Sequence, residues 1–208
     1  MIQWSSMKIE LNLKEGESGD WKVSTFSISV EQARNFNLRC IMNRNRRYIE
    51  PGVYYKLTYK GEVIMSNTPA EVNDHLPFIK KANGKVLIAG LGLGMVITEL
   101  LKKPDVTKIV VVEKSTDVIS LVSPSYTDKR VQIVNADIFE YKPTEHFDFA
   151  WFDIWESISS DSYKEMKKLH RKFARSVTFK DSWCRDEAKK AYFDSKDYKS
   201  WAGITMGW

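Results

Sequence analysis

Four acidic residues stand where a small-molecule site would want them. Glu113 closes the apolar run 108–112, Asp137 follows the run 130–135, and Asp153 follows the run 147–152, with Glu156 three residues further on. A fourth run, 86–89, leads straight into Gly90-Leu-Gly-Leu-Gly94. Short continuous apolar runs bounded by turn residues are the pattern of strands buried on both faces of a parallel sheet. Ligands of such open sheets bind beyond the carboxyl ends of the strands, so the loop and the acids are expected around one crevice. Glycines in a strand-to-helix turn let the backbone pass close to a ligand and adopt torsions that other residues avoid. The first amides of the following helix face the same crevice.

The spacing selects among ligands. A dinucleotide loop wants glycines at the first, third and sixth places, but here the sixth is Met95 and the third glycine comes one residue early, at Gly94. That argues against a nicotinamide or flavin dinucleotide. Glu113 lies 23 residues after Gly90, at the end of the neighbouring strand, where a carboxylate can accept hydrogen bonds from both hydroxyls of a ribose. Asp137 can receive the exocyclic amine of an adenine while Ile138 packs on the ring. Asp153 is the first candidate for a general base, and Glu156 the second. Trp155 can stack on a planar or cationic group, whereas strand alternation puts Trp151 inside the sheet packing. Each acid also has a structural alternative: a solvated strand end, or a helix cap at Asp137 and Asp153.

The elements that must hold these residues are legible from residue 84 onward, where strand and helix signals alternate as in βαβ units. Helices are expected over 95–103, 116–122, 161–173 and 185–193, and a fifth strand over 175–180. Residues 1–80 read differently. The segment 21–30 alternates apolar and polar side chains, and 53–59 with 62–65 form a hairpin around Lys60-Gly61. Thr68, Pro69 and Glu71 then mark a helix start, Thr68 as its cap, with Pro77 kinking that helix or ending it early. The expected fold is therefore α/β, a Rossmann-like, doubly wound, mostly parallel sheet over 81–208 with a small β-rich extension over 1–80.

The chain has 208 residues, enough for one substantial α/β core. The net charge of +5 permits nucleic acid as a partner without requiring it. The densest basic stretch, Arg39 to Tyr48, and the lysine-rich segment 161–173 suit either a phosphate-binding face or solvated surface. No apolar stretch reaches bilayer length, and the opening Met-Ile-Gln-Trp-Ser lacks a signal-peptide pattern, so a cytoplasmic protein without membrane partners is expected. Cys40 and Cys184 are expected as unpaired thiols, and three histidines without ligand spacing predict no metal.

The string Gly90-Leu-Gly-Leu-Gly94, then Val112-Glu113, Asn135-Ala-Asp137, Phe147-Asp148-Phe-Ala and Asp153-Ile-Trp-Glu156, resembles the class I S-adenosylmethionine (AdoMet) methyltransferases, and among them most the spermidine synthase branch. The hairpin and helix at 57–81 are similar to the hairpin segment that precedes the core there. The resemblance implies AdoMet as cofactor, with Gly90, Gly92 and Gly94 cupping its methionine part and Glu113, Asp137 and Ile138 holding the adenosine. It implies methyl transfer to an acceptor that the sequence does not name, a small-molecule amine or a nucleic acid. The alternatives are a spermidine synthase-like transfer of an aminopropyl group, or a non-catalytic AdoMet-binding protein of this fold. The chain departs from aminopropyltransferases in having Leu93 where they carry an amine-gripping acid, Asp74 where they carry a tyrosine, and Glu156 as the second carboxylate of the D-x-x-D pair. Nothing in the sequence fixes the oligomeric state; a homodimer would suit it.

Overall fold

The structure, a computed structural model, describes residues 8–43 and 47–204, with side chains placed as far as Ser195. Its N-terminal part is an antiparallel sheet of β1 (Gly16–Ser18), β2 (Trp21–Ile28), β3 (Gly52–Tyr59) and β4 (Glu62–Ser66), paired in that order. The expected hairpin is present, and Lys60 and Gly61 turn it with φ of 51° and 86°, the left-handed torsions a two-residue turn demands. The strand expected over 21–30 stops at Ile28 because Ser29 caps an unexpected helix, α1 (Val30–Met42). Ser29 and Gln32 bond each other's backbone reciprocally at its start. The buried side chains of α1 are Ala33 and Cys40, so it lacks the broad apolar stripe by which helices are recognised.

The next helix, α2 (Pro69–Lys81), has proline at its first position as expected and runs on through Pro77. Thr68 forms no side-chain cap. Glu71 reaches back instead, accepting from the Ser66 amide at 2.7 Å and the Ser66 hydroxyl at 2.6 Å. At the other end the Lys103 ammonium bonds the carbonyls of Ile79 (3.0 Å), Lys80 (3.2 Å) and Ala82, which offsets the helix's negative end.

The remaining chain forms β5 (Gly84–Ala89), α3 (Met95–Leu101), β6 (Val106–Glu113), α4 (Thr116–Val122), β7 (Val131–Asn135), β8 (Phe147–Phe152), α5 (Ser160–Lys172), β9 (Val177–Ser182) and α6 (Arg185–Ile204). All five strands are parallel, in the order β7-β6-β5-β8-β9. The chain winds outward from β5 through β6 to β7, then returns to β8 on the other side of β5. This is a doubly wound, Rossmann-like sheet, and its switch point lies between β5 and β8.

Period-two alternation sorts the strand residues onto two cores. Val86, Ile88, Ile109, Val111 and Trp151 join one cluster. Leu87, Ala89, Val110, Val112, Ala150 and Phe152 join the other, against Leu169 of α5 and Phe173 just beyond it. Each fully buried valine, leucine, isoleucine or phenylalanine among them contributes about 1.5–3 kcal/mol. The first cluster also takes in Ile9, Leu13, Val23, Leu57 and Val72, so apolar packing runs unbroken across the expected boundary at residue 80. Ser18 donates to Asp117 of α4 at 2.7 Å and fixes the β1–β2 turn on the parallel layer. No described helix is long and apolar enough to cross a membrane.

Candidate functional site

The glycine loop is tied in place by backbone bonds at the switch point. The Gly90 amide donates to Val112 O and the Asp153 amide to Ala89 O, both at 2.9 Å, so the ends of β5, β6 and β8 are held level. Gly90, Gly92 and Gly94 have φ of 94°, 50° and 73°, as the turn requires. Their missing side chains make room for protein. A Cβ on Gly90 would lie 2.0 Å from the Asp153 carbonyl oxygen, one on Gly92 2.3 Å from Met65 Sδ, and one on Gly94 2.2 Å from Tyr126 Oη. Tyr126 donates to Leu93 O at 3.1 Å and bonds Thr98 Oγ1 at 2.9 Å, behind the loop. The Leu93 amide donates to Met65 Sδ at 3.2 Å, while the Leu93 side chain is fully buried.

In front of the loop lies a cleft of ≈ 390 Å³, within the range of small-molecule sites (about 300–1,000 Å³). Gly90, Gly92, Glu113, Asp137, Ile138, Asp153 and Glu156 all line it. Gly94 does not: it caps α3, backs onto Tyr126 and lies outside the cleft wall. Trp155 lines the cleft, and Trp151 is buried in the sheet packing as alternation requires. The N-terminal elements supply walls that sequence reasoning missed: Trp21, Met65, Glu71 and His75. Trp183, just after β9, completes them. Glu71 carried a signal as a first-turn acid of α2; Trp21 and Trp183 carried none beyond the abundance of tryptophan.

Glu113 is held by two amides. One carboxylate oxygen accepts from Leu91 N at 2.8 Å and the other from Ser115 N at 2.7 Å. This fixes the carboxylate at the cleft wall and leaves a lone pair on each oxygen, since a carboxylate oxygen can accept twice. Asp137 is engaged differently. One oxygen accepts from the Phe139 amide at 2.8 Å within a turn and the other pairs with the exposed Lys114 ammonium at 2.8 Å, which pulls the carboxyl below its ordinary range. No helix follows Asp137 before β8 among the described residues, so its carboxylate closes a turn rather than capping a helix, and it reaches an adenine amine only by sharing or releasing these partners.

At the far end of the cleft, Asp153 and Glu71, with Asp74 outside the wall, are acids whose ionisation is opposed. Asp153 is pushed up to about 7, by burial first and then by Glu71 and Asp74. Burial raises Glu71 against the pull of its Ser66 bonds, and raises Asp74 against the Arg47 guanidinium 2.7 Å away. His75 is buried, which lowers it to about 4 and keeps the ring neutral; its Nε2 lies 3.8 Å from Asp153 and its Nδ1 has no hydrogen-bond partner among the described residues. Five carboxylates line the cleft (Glu71, Glu113, Asp137, Asp153, Glu156) against Lys114 as the one lysine or arginine among the described lining residues. Such a site favours a cation. The basic stretch from Arg39 contributes Arg47 to Asp74, while its Arg44 and Arg46 lie outside the described residues.

Solved structures similar to this chain are spermidine synthases and AdoMet-dependent methyltransferases. The spermidine synthase from Thermotoga maritima is 22% identical over 73% of this chain and 50% of its own, with a TM-score of 0.42. A spermidine synthase in complex with the transition state analogue AdoDATO is 18% identical over 82% of this chain and 58% of its own, with a TM-score of 0.47. An S-adenosylmethionine-dependent methyltransferase from Mesorhizobium loti is 15% identical over 51% of each chain, with a TM-score of 0.40. The chain thus spans about half the length of the solved chains it matches. No protein-family model and no curated protein matches it.

Proposed function

We propose that this chain is a transferase that moves an alkyl group from an adenosyl sulfonium donor, AdoMet or a close relative, to an amine. The observation that carries the reading is the excess of carboxylates around a glycine-loop cleft, two of which, Glu71 and Asp153, form with Asp74 outside the cleft wall an acidic group whose ionisation is opposed by burial and mutual repulsion. A bound cation relieves that repulsion, and both the donor and a protonated amine are cations. The donor supplies an electrophilic carbon on a positively charged sulfur. Glu113, fixed by two loop amides, holds the ribose, and Ile138 packs on the base. Asp153 accepts the proton that an ammonium must lose before its nitrogen can attack, and a carboxyl titrating near 7 suits that exchange at neutral pH. Glu71 and Glu156 hold the amine's charge, while the indoles of Trp155 and Trp183 wall the cleft.

Methyl transfer from AdoMet is the first form of this reading. Aminopropyl transfer from decarboxylated AdoMet is the second, and the charge balance favours it: a donor without a carboxylate meets five acids and one lysine. Calorimetry with AdoMet, S-adenosylhomocysteine, decarboxylated AdoMet and NAD tests both, followed by alkyl di- and polyamines as acceptors with labelled donor. Tighter binding of AdoMet supports methyl transfer, and tighter binding of the decarboxylated compound supports aminopropyl transfer. Binding of NAD alone overturns the reading.

A further inference from the structure

We propose that the outer ridge of α5, with the aromatic cluster where it meets α6, is a docking surface for single-stranded nucleic acid. The inference is independent of the amine-transfer reading. The buried side chains of α5 are Ser162, Tyr163, Met166 and Leu169. At 100° per residue its cations, Lys164, Lys167, Lys168, Arg171 and Lys172, fall on the opposite arc, at one or more per turn of about 5.4 Å. Two acids share the helix surface and both are engaged: Asp161 with Lys164 at 2.7 Å, and Glu165 with the Trp155 indole N–H at 2.8 Å. Lys168 and Arg171 are exposed and form no ion pair among the described residues.

The aromatic component is the second observation. The Lys167 ammonium lies 5.0 Å from the Tyr163 ring and 4.4 Å from the Tyr192 ring. Tyr192 meets Phe193 edge to face at 5.4 Å, and Phe193 is 49% exposed. A row of cations beside an exposed aromatic is how single strands are bound without sequence preference, phosphates along the row and bases on the rings. An anionic membrane fits less well, because the apolar side chains between the cations, Met166 and Leu169, are buried and not free to enter the bilayer interface. The ridge borders the cleft: Trp155, bonded to Glu165, and Phe139, whose carbonyl accepts from Lys172, both line it. A strand on the ridge would therefore pass the cleft mouth.

Fluorescence anisotropy of the full chain with labelled single-stranded DNA and RNA of about 16 nucleotides, at low and moderate salt, tests this. The single strands should bind. The double variant K168E/R171E should weaken binding at least tenfold and reduce the salt slope by about 1.4, two phosphate contacts at about 0.7 each. F193A should weaken binding about fivefold with the slope unchanged, and K168R/R171K should bind like the parent. The melting temperature and circular dichroism spectrum of K168E/R171E should match those of the parent, which separates a lost surface from a lost fold. The proposal is overturned by no binding at low salt, by an equal loss in the hairpin control K22E/K60E, by equal affinity for duplex, or by preference for vesicles containing an anionic phospholipid.

Discussion

Buried His75 and partly buried Asp153 lie side by side and titrate in opposite senses, which makes them a sensitive probe of the cleft. Asp153 has its carboxyl raised to about 7, so the fold binds a proton that the unfolded chain releases, and its contribution to stability falls as pH rises from about 4 through 7. His75 is lowered to about 4, so its contribution is present above its unfolded value of 6.5 and lost as pH falls towards 4. In the parent the two trends oppose. D153N leaves the His75 trend alone, so denaturant midpoints of that variant should drop between pH 6.5 and 4.5 more steeply than those of the parent. Transfer activity, if Asp153 is the base, should rise through pH 7 and level off, and D153N should lose that limb while still binding donor. E113A should weaken donor binding by about 1–3 kcal/mol on calorimetry, the loss of charge-assisted hydrogen bonds. It should also lower the melting temperature, because the Leu91 and Ser115 amides lose their acceptor.

At the level of elements, the glycine loop is a joint between three strands and a hairpin. Gly90 abuts a backbone carbonyl that cannot rotate away, whereas Gly61 at the hairpin tip has open space around it and only its φ of 86° to satisfy. G61A should therefore cost about 1 kcal/mol of stability, the left-handed penalty alone. G90A should exceed about 3 kcal/mol, the range of severe core disruption, and should displace Asp153 as well. Chemical denaturation of both variants reads the contrast. Most helix ends here follow local chemistry that the sequence displays, such as Pro69 opening α2 and Ser115 capping α4. Helix α1 was not legible because its buried side chains are few, and α3 stopped at Leu101, two residues before the expected end.

Across the whole molecule, the antiparallel sheet and the parallel layer share one apolar cluster and both line the cleft. The chain should therefore unfold in one transition, with circular dichroism and tryptophan fluorescence tracing the same curve; separate transitions would show that the N-terminal part is independently stable. Donor at about 100 times its Kd should add about 2.7 kcal/mol and shift the midpoint accordingly.

The parallel strands, their order of appearance, the loop and the acids at the strand ends were written in the sequence, because buried strands and glycine turns have local signatures. Seven of the eight anticipated site residues line one cleft, since strand ends on one edge of a parallel sheet must converge. Tertiary structure alone decided the rest. It turned Gly94 towards Tyr126, engaged Asp137 with Lys114, and brought Trp21, Met65, Glu71 and His75 over the loop. Those contacts join residues many positions apart in the chain, and long-range packing leaves no periodic trace in the segments it unites.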